Sequence, residues 1–354
     1  MTVTIREVAH RARVSVATVS RVLNDSGPVG PETRRRVQEA VEELGYVPHG
    51  GARSLIMRRT NVLGVVLPEL YSEFFSEVIR GLERPAQQAG YHLLLSSSHD
   101  NKQEIKLALR AMQGRVDGLI VMSPHVGARE LKSTIPAAFP AVLLNCAVEE
   151  DSPFDSVSVD NFGGACDAVR HLLTLGHERI ALIGGGAADN HDAWERQRGY
   201  RAALCEAGVA PRPEWEVVGH FLESGGHEAA TALSRLRPRP TAIFAANDSM
   251  AFGAMSALGK EGLRVPEDMA ICGFDDVPMA RYWNPPLTSV HVDLSVVGAC
   301  TVKMLLEALA REDGHGRRES QHRTVGVSLA VRSSCGSGGP HRSTEPTLSP
   351  TAGG

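Results

Sequence analysis

From residue 61 onwards the chain alternates short apolar segments with longer segments of helical periodicity, and this alternation restricts the possible fold more than any other feature. The apolar segments have the length of buried strands and lie at 62–67, 91–95, 118–122, 141–144, 180–183, 242–245 and 269–272. Helical patterns lie between them, for example at 72–89, 163–175, 196–207 and 250–259. Strands that alternate with helices form doubly wound parallel sheets. The length of this region predicts two such α/β lobes.

The first 47 residues contain three short helical patterns instead. Thr4 and Glu7 form a potential capping box before apolar residues at 5, 8, 9 and 12. A tight turn at 12–14 leads to a second helix capped by Ser15, and a third helix begins at Pro31 and ends at Gly45. This all-α head is typical of a helix-turn-helix, whose second helix enters the major groove of DNA.

The second helix has a small outer face that fits a major groove. Its outward side chains are Val16, Ala17, Thr18, Ser20 and Arg21. Arg21 can reach a guanine edge or a phosphate. Residues 1–60 carry ten Arg and six acidic residues, whereas the rest of the chain carries 27 basic and 35 acidic residues. Because only the head is basic, we expect it to bind double-stranded DNA.

The head and the residues after it resemble the LacI/GalR family of bacterial repressors. The resemblance is carried by residues 4–24, V-G-P-E-T-R-R-R-V at 29–37, L-G-Y-V-P at 44–48 and A-R-S-L at 52–55, and it extends over about residues 4–332. It implies that Val16 and Ala17 read bases and that Arg21 supports readout and phosphate contact. The candidate DNA-contacting residues are Thr4, Ser15, Val16, Ala17, Thr18, Ser20, Arg21, Asn24, Arg53 and Leu55.

The resemblance also implies a hinge that folds into a helix on the operator. Leu55 matches a leucine that wedges into the minor groove, where apolar wedges kink DNA. The sequence departs from the family at His49, where the family usually has Asn, and at Gly50 and Gly51, which are poor helix formers. We therefore predict a weak hinge helix.

Polar residues follow several of the predicted strands, where doubly wound sheets bind ligands. They are Asn145, Asn247 with Asp248, and Asp275 with Asp276. Each of these alone is more often a helix cap or a turn former. Their recurrence in both halves of the region favours a binding cleft.

The same region resembles the family's effector domain, which is similar to periplasmic sugar-binding proteins. The motifs are S-E-F-F at 72–75, V-D-G-L-I-V at 116–121, S-V-D-N at 158–161, L-G-H-E-R-I-A-L-I-G-G at 175–185, A-N-D-S-M-A-F-G at 246–253, G-F-D-D at 273–276 and P-P-L-T-S-V at 285–290. The resemblance implies that Arg196, Asn247 and Asp275 hold ligand hydroxyls, and that Phe74, Phe75 and Phe221 form apolar walls. With Asn145 these are the candidate ligand-binding residues, and Val292 and Leu294 are further candidates for the lining. Polar groups beside aromatic rings suit a sugar.

The resemblance implies a domain order. Residues 1–47 form the DNA-binding domain, 48–60 the hinge and linker, and 61–332 a two-lobed effector and dimerisation domain. The lobes are expected at about 61–160 with 291–325, and at about 161–290. The Ser/Gly/Pro-rich residues 333–354 are predicted to be a disordered tail. We expect a repressor that binds a pseudo-palindromic operator as a homodimer, with a tetramer left open.

Other classes of protein fit the sequence poorly. A dinucleotide-binding enzyme would need a third glycine at position 189, which is Asp189. A metal hydrolase using Asp248, Asp275 and Asp276 lacks a histidine at ligand spacing, so we expect no metal, no cofactor and no enzymatic activity. A transport-type binding protein explains the two lobes but leaves the basic head without a role.

The sequence gives no indication of export or of a membrane partner. The N-terminus carries charges where a signal peptide needs an apolar run, and no segment approaches 18 uncharged apolar residues. The six cysteines are scattered, without the spacing of a zinc site or a disulfide framework. We expect buried thiols in a cytoplasmic protein.

Overall fold

A computed structural model describes residues 3–24, 27–46, 59–99, 101–136, 138–149, 152–186, 190–311 and 320–336. The chain divides into two compact units. The first comprises residues 1–62 with 114–117, and the second comprises 63–113 with 118–354. The predicted hinge at 48–60 lies almost entirely outside the described residues.

The described residues of the first unit contain three helices, α1 (Ile5–Ala12), α2 (Val16–Asn24) and α3 (Pro31–Leu44). As predicted, the Glu7 carboxylate accepts hydrogen bonds from the backbone N–H of Thr4 at 2.6 Å and from its hydroxyl at 2.9 Å. Gly45 ends α3 in the left-handed conformation, with φ of 60°. The apolar stripes of the helices form one small core, made of Val8, Ala9, Ala12, Val19, Val22, Val37, Ala40 and Tyr46.

The second unit contains two six-stranded sheets. The strands are β1 (Val62–Leu67), β2 (His92–Ser97), β3 (Gly118–Met122), β4 (Ala141–Leu144), β5 (Asp155–Val159), β6 (Ile180–Gly184), β7 (Glu216–Val218), β8 (Ala242–Ala245), β9 (Ala270–Asp275), β10 (Thr288–His291), β11 (His322–Val325) and β12 (Ser328–Ala330). The order is β11-β5-β4-β3-β1-β2 in the first sheet and β12-β10-β9-β8-β6-β7 in the second. This is the predicted two-lobed α/β architecture, with one correction: β12 runs antiparallel to β10.

Helices connect the strands, both within each lobe and, at α7 and α11, from one lobe to the other. They are α4 (Glu73–Gln88), α5 (Lys102–Met112), α6 (Ala128–Leu131), α7 (Asn161–Thr174), α8 (His191–Glu206), α9 (Glu223–Arg235), α10 (Asp248–Lys260) and α11 (Leu294–Leu309). Within the described ranges, no helix has both the length and the apolar character needed to cross a membrane.

The chain passes between the two sheets three times, after β5, after β10 and after β11. The last passage places β11 beside β5, with His322 opposite Ser156 and Val325 opposite Val159. It then places β12 beside β10 in the other sheet. Each lobe is therefore built from segments that are distant in sequence.

The predicted tail begins too early. Residues Ser333–Cys335 form a short 3-10 turn, in which Ser334 and Cys335 are buried. Ser334 accepts a hydrogen bond from the Thr288 N–H at 2.8 Å and donates one to the carbonyl of Ile271 at 2.6 Å. These bonds join the turn to the second sheet, and a composition rich in Ser and Gly does not reveal them. Residues 337–354 lie outside the described residues.

Candidate functional site

The outer face of α2 carries the predicted base-reading side chains. Val19 and Val22 are buried in the core of the first unit, so one side of α2 packs against that core and the opposite side is accessible. Val16 is 41% exposed, and Ala17 and Arg21 are exposed beside it. The helix thus presents two small apolar side chains and a guanidinium on one accessible surface.

Ser15 and Thr18 fix the start of this helix. Ser15 Oγ accepts a hydrogen bond from the Thr18 N–H at 3.1 Å and lies 2.9 Å from the Thr18 hydroxyl. Ser15 is therefore the predicted N-cap, and its hydroxyl also orients Thr18 at the edge of the exposed face. Ser20 is half-buried, and Thr4 is exposed at the start of α1.

Three of the predicted DNA contacts cannot be located. Asn24 is the last residue of α2, but its side chain is outside what the structure describes. Arg53 and Leu55 lie outside the described residues, as do His49, Gly50 and Gly51. The wedge and the weak hinge helix stay predictions.

A cavity of about 450 Å³ lies between the two lobes of the second unit. Six of the seven predicted ligand-binding residues line it, namely Phe74, Phe75, Arg196, Phe221, Asn247 and Asp275. The phenylalanines at 74 and 75 belong to the first turn of α4, and the other four belong to the second lobe. Strand-end and helix-start residues of both lobes therefore face one enclosed space, which is what a ligand site requires.

Arg196 is the most constrained polar residue of the cavity. Its Nε donates to Asn161 Oδ1 at 2.8 Å, and its Nη1 donates to the carbonyl of Ala246. Its guanidinium lies 3.7 Å from the centroid of the Phe274 ring. A cation held by two acceptors and an aromatic face has a fixed orientation. Arg196 can therefore present its remaining N–H groups to a ligand without first being ordered.

Asp275 forms an ion pair with Arg196. Its Oδ1 lies 3.4 Å from Arg196 Nη2, which is long for a hydrogen bond, so this oxygen keeps capacity to accept one from a ligand. Burial raises the pKa of Asp275 to about 7, although the Arg196 charge opposes the shift. Asp275 has a φ of 105°, a conformation that an L side chain rarely adopts, at the end of β9. A strained backbone conformation at a residue that carries a carboxyl group at a strand end is typical of a functional position.

Asn145 differs from the other candidates, because it does not line the cavity. Its side chain is buried close to Asp192, whose pKa it lowers. Asp192 itself lines the cavity and accepts from Asn161 Nδ2 at 2.9 Å. Burial raises the pKa of Asp192, against the effect of Arg196 and of both asparagines. Asn145 therefore supports a cavity carboxyl group that the sequence analysis missed.

Asp192 was missed because α8 begins at His191, earlier than the motif at Arg196 suggests. The signal lay in Asn190, a typical N-cap residue. Asn190 Oδ1 accepts from the Ala193 N–H at 2.9 Å, and its Nδ2 lies 3.2 Å from Nε2 of His125 in the other lobe. A cap at 190 places both Asp192 and Arg196 near the start of the helix.

Asn247 combines a capping role with a position in the cavity. Its Oδ1 accepts from the Met250 N–H at 2.9 Å, and its Nδ2 donates to the carbonyl of Phe221 at 3.0 Å. The Phe221 ring in turn packs on Gly185, where any Cβ would overlap it. Asn247 and Gly185 together hold the Phe221 ring against the cavity.

Asp248 and Asp276 have structural partners instead of facing the cavity. Asp248 accepts from the Ser289 hydroxyl at 2.6 Å and from the Val277 N–H at 2.9 Å, and burial raises its pKa well above the usual range. Asp276 pairs with Arg332 at 2.6 Å and with His291 at 3.0 Å. Within the described ranges, no group of three His, Cys, Asp or Glu residues is placed to hold a metal ion.

Val292 and Leu294 are also absent from the lining of this cavity. β10 ends at His291, and the chain leaves towards the first lobe, where the backbone of Leu294 packs tightly against Gly81. The prediction that they line the pocket is wrong because it extended the strand past its end.

Comparisons with known proteins match both units. The family described as bacterial regulatory proteins, lacI family, matches residues 4–49, and the periplasmic binding protein-like domain matches 169–335. Catabolite control protein A of Priestia megaterium is 36% identical over 313 residues, which cover 88% of this chain and 94% of the relative. The HTH-type transcriptional repressor PurR of Erwinia tasmaniensis is 37% identical over 342 residues, which cover 96% of this chain and 98% of the relative.

Solved structures agree with these sequence matches. The lac repressor dimer bound to operator and the anti-inducer ONPF has a TM-score of 0.81 and 29% identity, and the match covers 95% of this chain and 99% of that one. The complex of the transcriptional regulator CelR with cellobiose has a TM-score of 0.70 and 31% identity, with coverage of 94% and 99%.

Proposed function

The chain belongs to the LacI family of bacterial regulatory proteins and is a DNA-binding transcriptional regulator; from this premise we propose that it acts as a repressor whose operator binding is controlled by a sugar. In this proposal a homodimer inserts two copies of α2 into successive major grooves of a pseudo-palindrome. The lac repressor structure contains a dimer bound to operator, which supports this arrangement. Binding of a ligand, without catalysis, is the role of the two lobes.

The exposed face of α2 supports direct reading of bases. Val16 and Ala17 offer only methyl groups, so they favour contact with thymine methyls over bidentate hydrogen bonds. Arg21 is exposed one helical turn further on and supplies the charged contact. Specificity would then come from close packing at the methyl contacts together with one guanidinium per half-site.

The observation that carries the sugar proposal is the Arg196–Asp275 pair facing a cavity with aromatic walls. Asp275 Oδ1 can accept from a hydroxyl, and Arg196 can donate to one. Phe74 and Phe221 supply apolar surface from opposite lobes. A sugar has one polar edge and one apolar face, so it satisfies both kinds of wall. The CelR structure, which holds cellobiose, is consistent with this class of ligand.

Contacts between the lobes suggest how the ligand acts. The Glu73 carboxylate accepts from the Met279 N–H at 3.2 and 3.3 Å, and the His191 N–H donates to the carbonyl of Pro124 at 3.0 Å. A ligand held between the lobes adds to these bonds and favours the closed arrangement. We infer that this shift changes the fraction of dimers whose residues 48–60 can fold on DNA.

The test begins with a thermal-shift screen of sugars, because a ligand that binds only the native state raises Tm. Duplexes selected from a random library then provide the operator, and its affinity is measured with and without the sugar. Arg196→Ala and Asp275→Asn should lose the response to the sugar and keep operator affinity. Arg201→Ala, an exposed residue on the same helix, is the matched control. Loss of operator binding in either folded cavity variant would contradict the separation of roles.

The hinge is tested by replacing Gly50 and Gly51 with Ala. Each replacement favours helix by about 0.8 to 1.0 kcal/mol, so operator affinity should rise by up to ~2 kcal/mol per subunit. Leu55→Ala should reduce affinity and DNA bending together. Unchanged bending in Leu55→Ala would rule out the wedge.

A further inference from the structure

We propose that the cleft selects an effector without any anionic group, a neutral polyhydroxylated molecule in preference to its phosphate or its carboxylic acid. This inference rests on the proposed ligand function of the cavity. The carboxyl groups that line the cavity are those of Glu69, Glu73, Asp192, Glu223 and Asp275. Among the described lining residues, Arg196 is the only guanidinium and there is no lysine.

The single guanidinium is not free to bind an anion. Asp275 already neutralises it at 3.4 Å, and Asn161 and the carbonyl of Ala246 occupy two of its nitrogen atoms. A phosphate group that replaced Asp275 as the partner of Arg196 would leave that carboxyl group buried without its ion pair. Buried ion pairs that lose one member are strongly destabilised.

The other titratable groups do not compensate for this. Asp192 and Asp275 are both buried, and burial raises the pKa of each, which shows that negative charge is already disfavoured there. Glu69 and Glu73 add negative charge from the first lobe, and Glu223 adds it from the second. The other residues of the lining that can carry a positive charge, besides Arg196, are His125 and His220. Beside the buried Asp192 and Asp275 an anion would meet this field where water screens it poorly, whereas Glu69 and Glu73 are half-buried and Glu223 is exposed.

A neutral hydroxylated ligand finds the opposite situation. Hydroxyl groups can donate to the same carboxylates and accept from the remaining N–H groups of Arg196 without any new charge being buried. The cavity therefore has more hydrogen-bond acceptors, in its carboxylates, than hydrogen-bond donors. A molecule whose hydroxyl groups donate hydrogen bonds matches this excess. The same surface repels the phosphorylated forms.

Matched pairs of ligands test the inference on the full-length protein. Glucose with glucose 6-phosphate, galactose with galacturonate, ribose with ribose 5-phosphate, and adenosine with adenosine monophosphate are compared by thermal shift and by calorimetry at pH 7.5. Whichever neutral member binds, its anionic counterpart should bind at least about 100-fold more weakly. An anionic member that binds as well as its neutral counterpart overturns the inference, even if the effector is a sugar.

The pairs also separate the two proposals. Binding of adenosine, more tightly than adenosine monophosphate, but of no sugar would overturn the proposed effector class and leave the charge selection standing. Binding of none of the eight compounds would overturn both, because the cavity would then accept neither class of ligand.

A charge variant gives a readout that a structural role would not move. Glu73→Gln keeps an oxygen that can accept from the Met279 N–H, so folding should be preserved. It should lower the ratio of neutral to anionic affinity severalfold. Glu214→Gln, an exposed residue outside the cavity, should leave the ratio unchanged. An unchanged ratio in folded Glu73→Gln would show that cavity charge does not set the selection.

Discussion

Replacing Arg196 with Met removes the only guanidinium of the described cavity lining and leaves Asp275 without its partner. Two unit charges 3.4 Å apart attract by about 5 kcal/mol at an effective dielectric constant of about 20. Removing one member of a buried pair commonly costs about 3 to 5 kcal/mol. We expect a decrease in unfolding free energy within that range at pH 8, because Asp275 must then either stay charged and buried or take up a proton.

The pH dependence identifies the cause of this loss. Asp275 has a raised pKa of about 7 in the parent, against 3.8 for an ordinary Asp, so parental stability falls between about pH 4 and 7 and then levels off. Without Arg196 the pKa rises further, and the decline continues through pH 8. The destabilisation should therefore be about 1.3 kcal/mol larger at pH 8 than at pH 6.

Urea unfolding at pH 6 and pH 8 measures both quantities. Arg170→Met on α7 is the control, since its pair with Glu206, in which both side chains are about half exposed, should contribute at most about 1 kcal/mol at either pH. In an Asp275→Asn background the pH increment should shrink, and any remainder belongs to Asp192, whose pKa Arg196 also lowers. An increment of the same size in the Asn background would refute the assignment to Asp275.

Four further outcomes are expected. Operator affinity should fall by orders of magnitude between ~50 and ~200 mM salt, as binding titrations can measure. If Arg21 reads a base, Arg21→Ala should weaken binding to the operator by ~1 to 3 kcal/mol per half-site and weaken binding to random DNA by less in the same titrations. Gly185→Ala should displace the Phe221 ring and weaken sugar binding in calorimetry, whereas Gly259→Ala, where a Cβ meets no atom within 4 Å, should not. Sugar affinity should rise by up to about tenfold from pH 6 to pH 8, because a donating hydroxyl prefers the ionised Asp275; a flat profile would place that hydroxyl elsewhere.

The strands that could be predicted from sequence are those whose residues are nearly all apolar, such as β1, β3 and β8. The sequence of β10, Thr-Ser-Val-His, is not among the predicted apolar segments, although Thr288 and Ser289 are fully buried. Their polar groups are satisfied by Ser334 and Asp248, which lie about 46 and 41 residues away in the chain. Such partners exist only in the folded state, so the local pattern cannot predict the strand. The helices α5, α9 and α11 and the strands β5, β7, β11 and β12 were likewise not predicted.

The site was predicted where motif and strand end coincide, as at Asp275 and Asn247. It was mispredicted where backbone direction decides the outcome. Asn145 follows a strand as the rule requires, but with a φ of 47° its side chain lies near Asp192 and does not line the cavity. Neighbouring Asp275 and Asp276 diverge in the same way, one towards the cavity and the other towards Arg332. The family resemblance predicted which residues bind a ligand. Only the structure showed which of their side chains point into the cavity.

The pairing of β11 with β5 matters for how the protein is made. The first lobe lacks an edge strand until residues 322–325 leave the ribosome, although most of its sheet has been translated by residue 159. Until then β5 exposes unpaired backbone groups on the nascent chain, and such edges promote misassembly. A stop codon or a proteolytic cut after residue 311 would remove β11 and β12 and so deprive both lobes of an outer strand at once. Completion of either lobe thus depends on residues 322–330, and products that end before them should be cleared as misfolded protein instead of persisting as half-functional repressors.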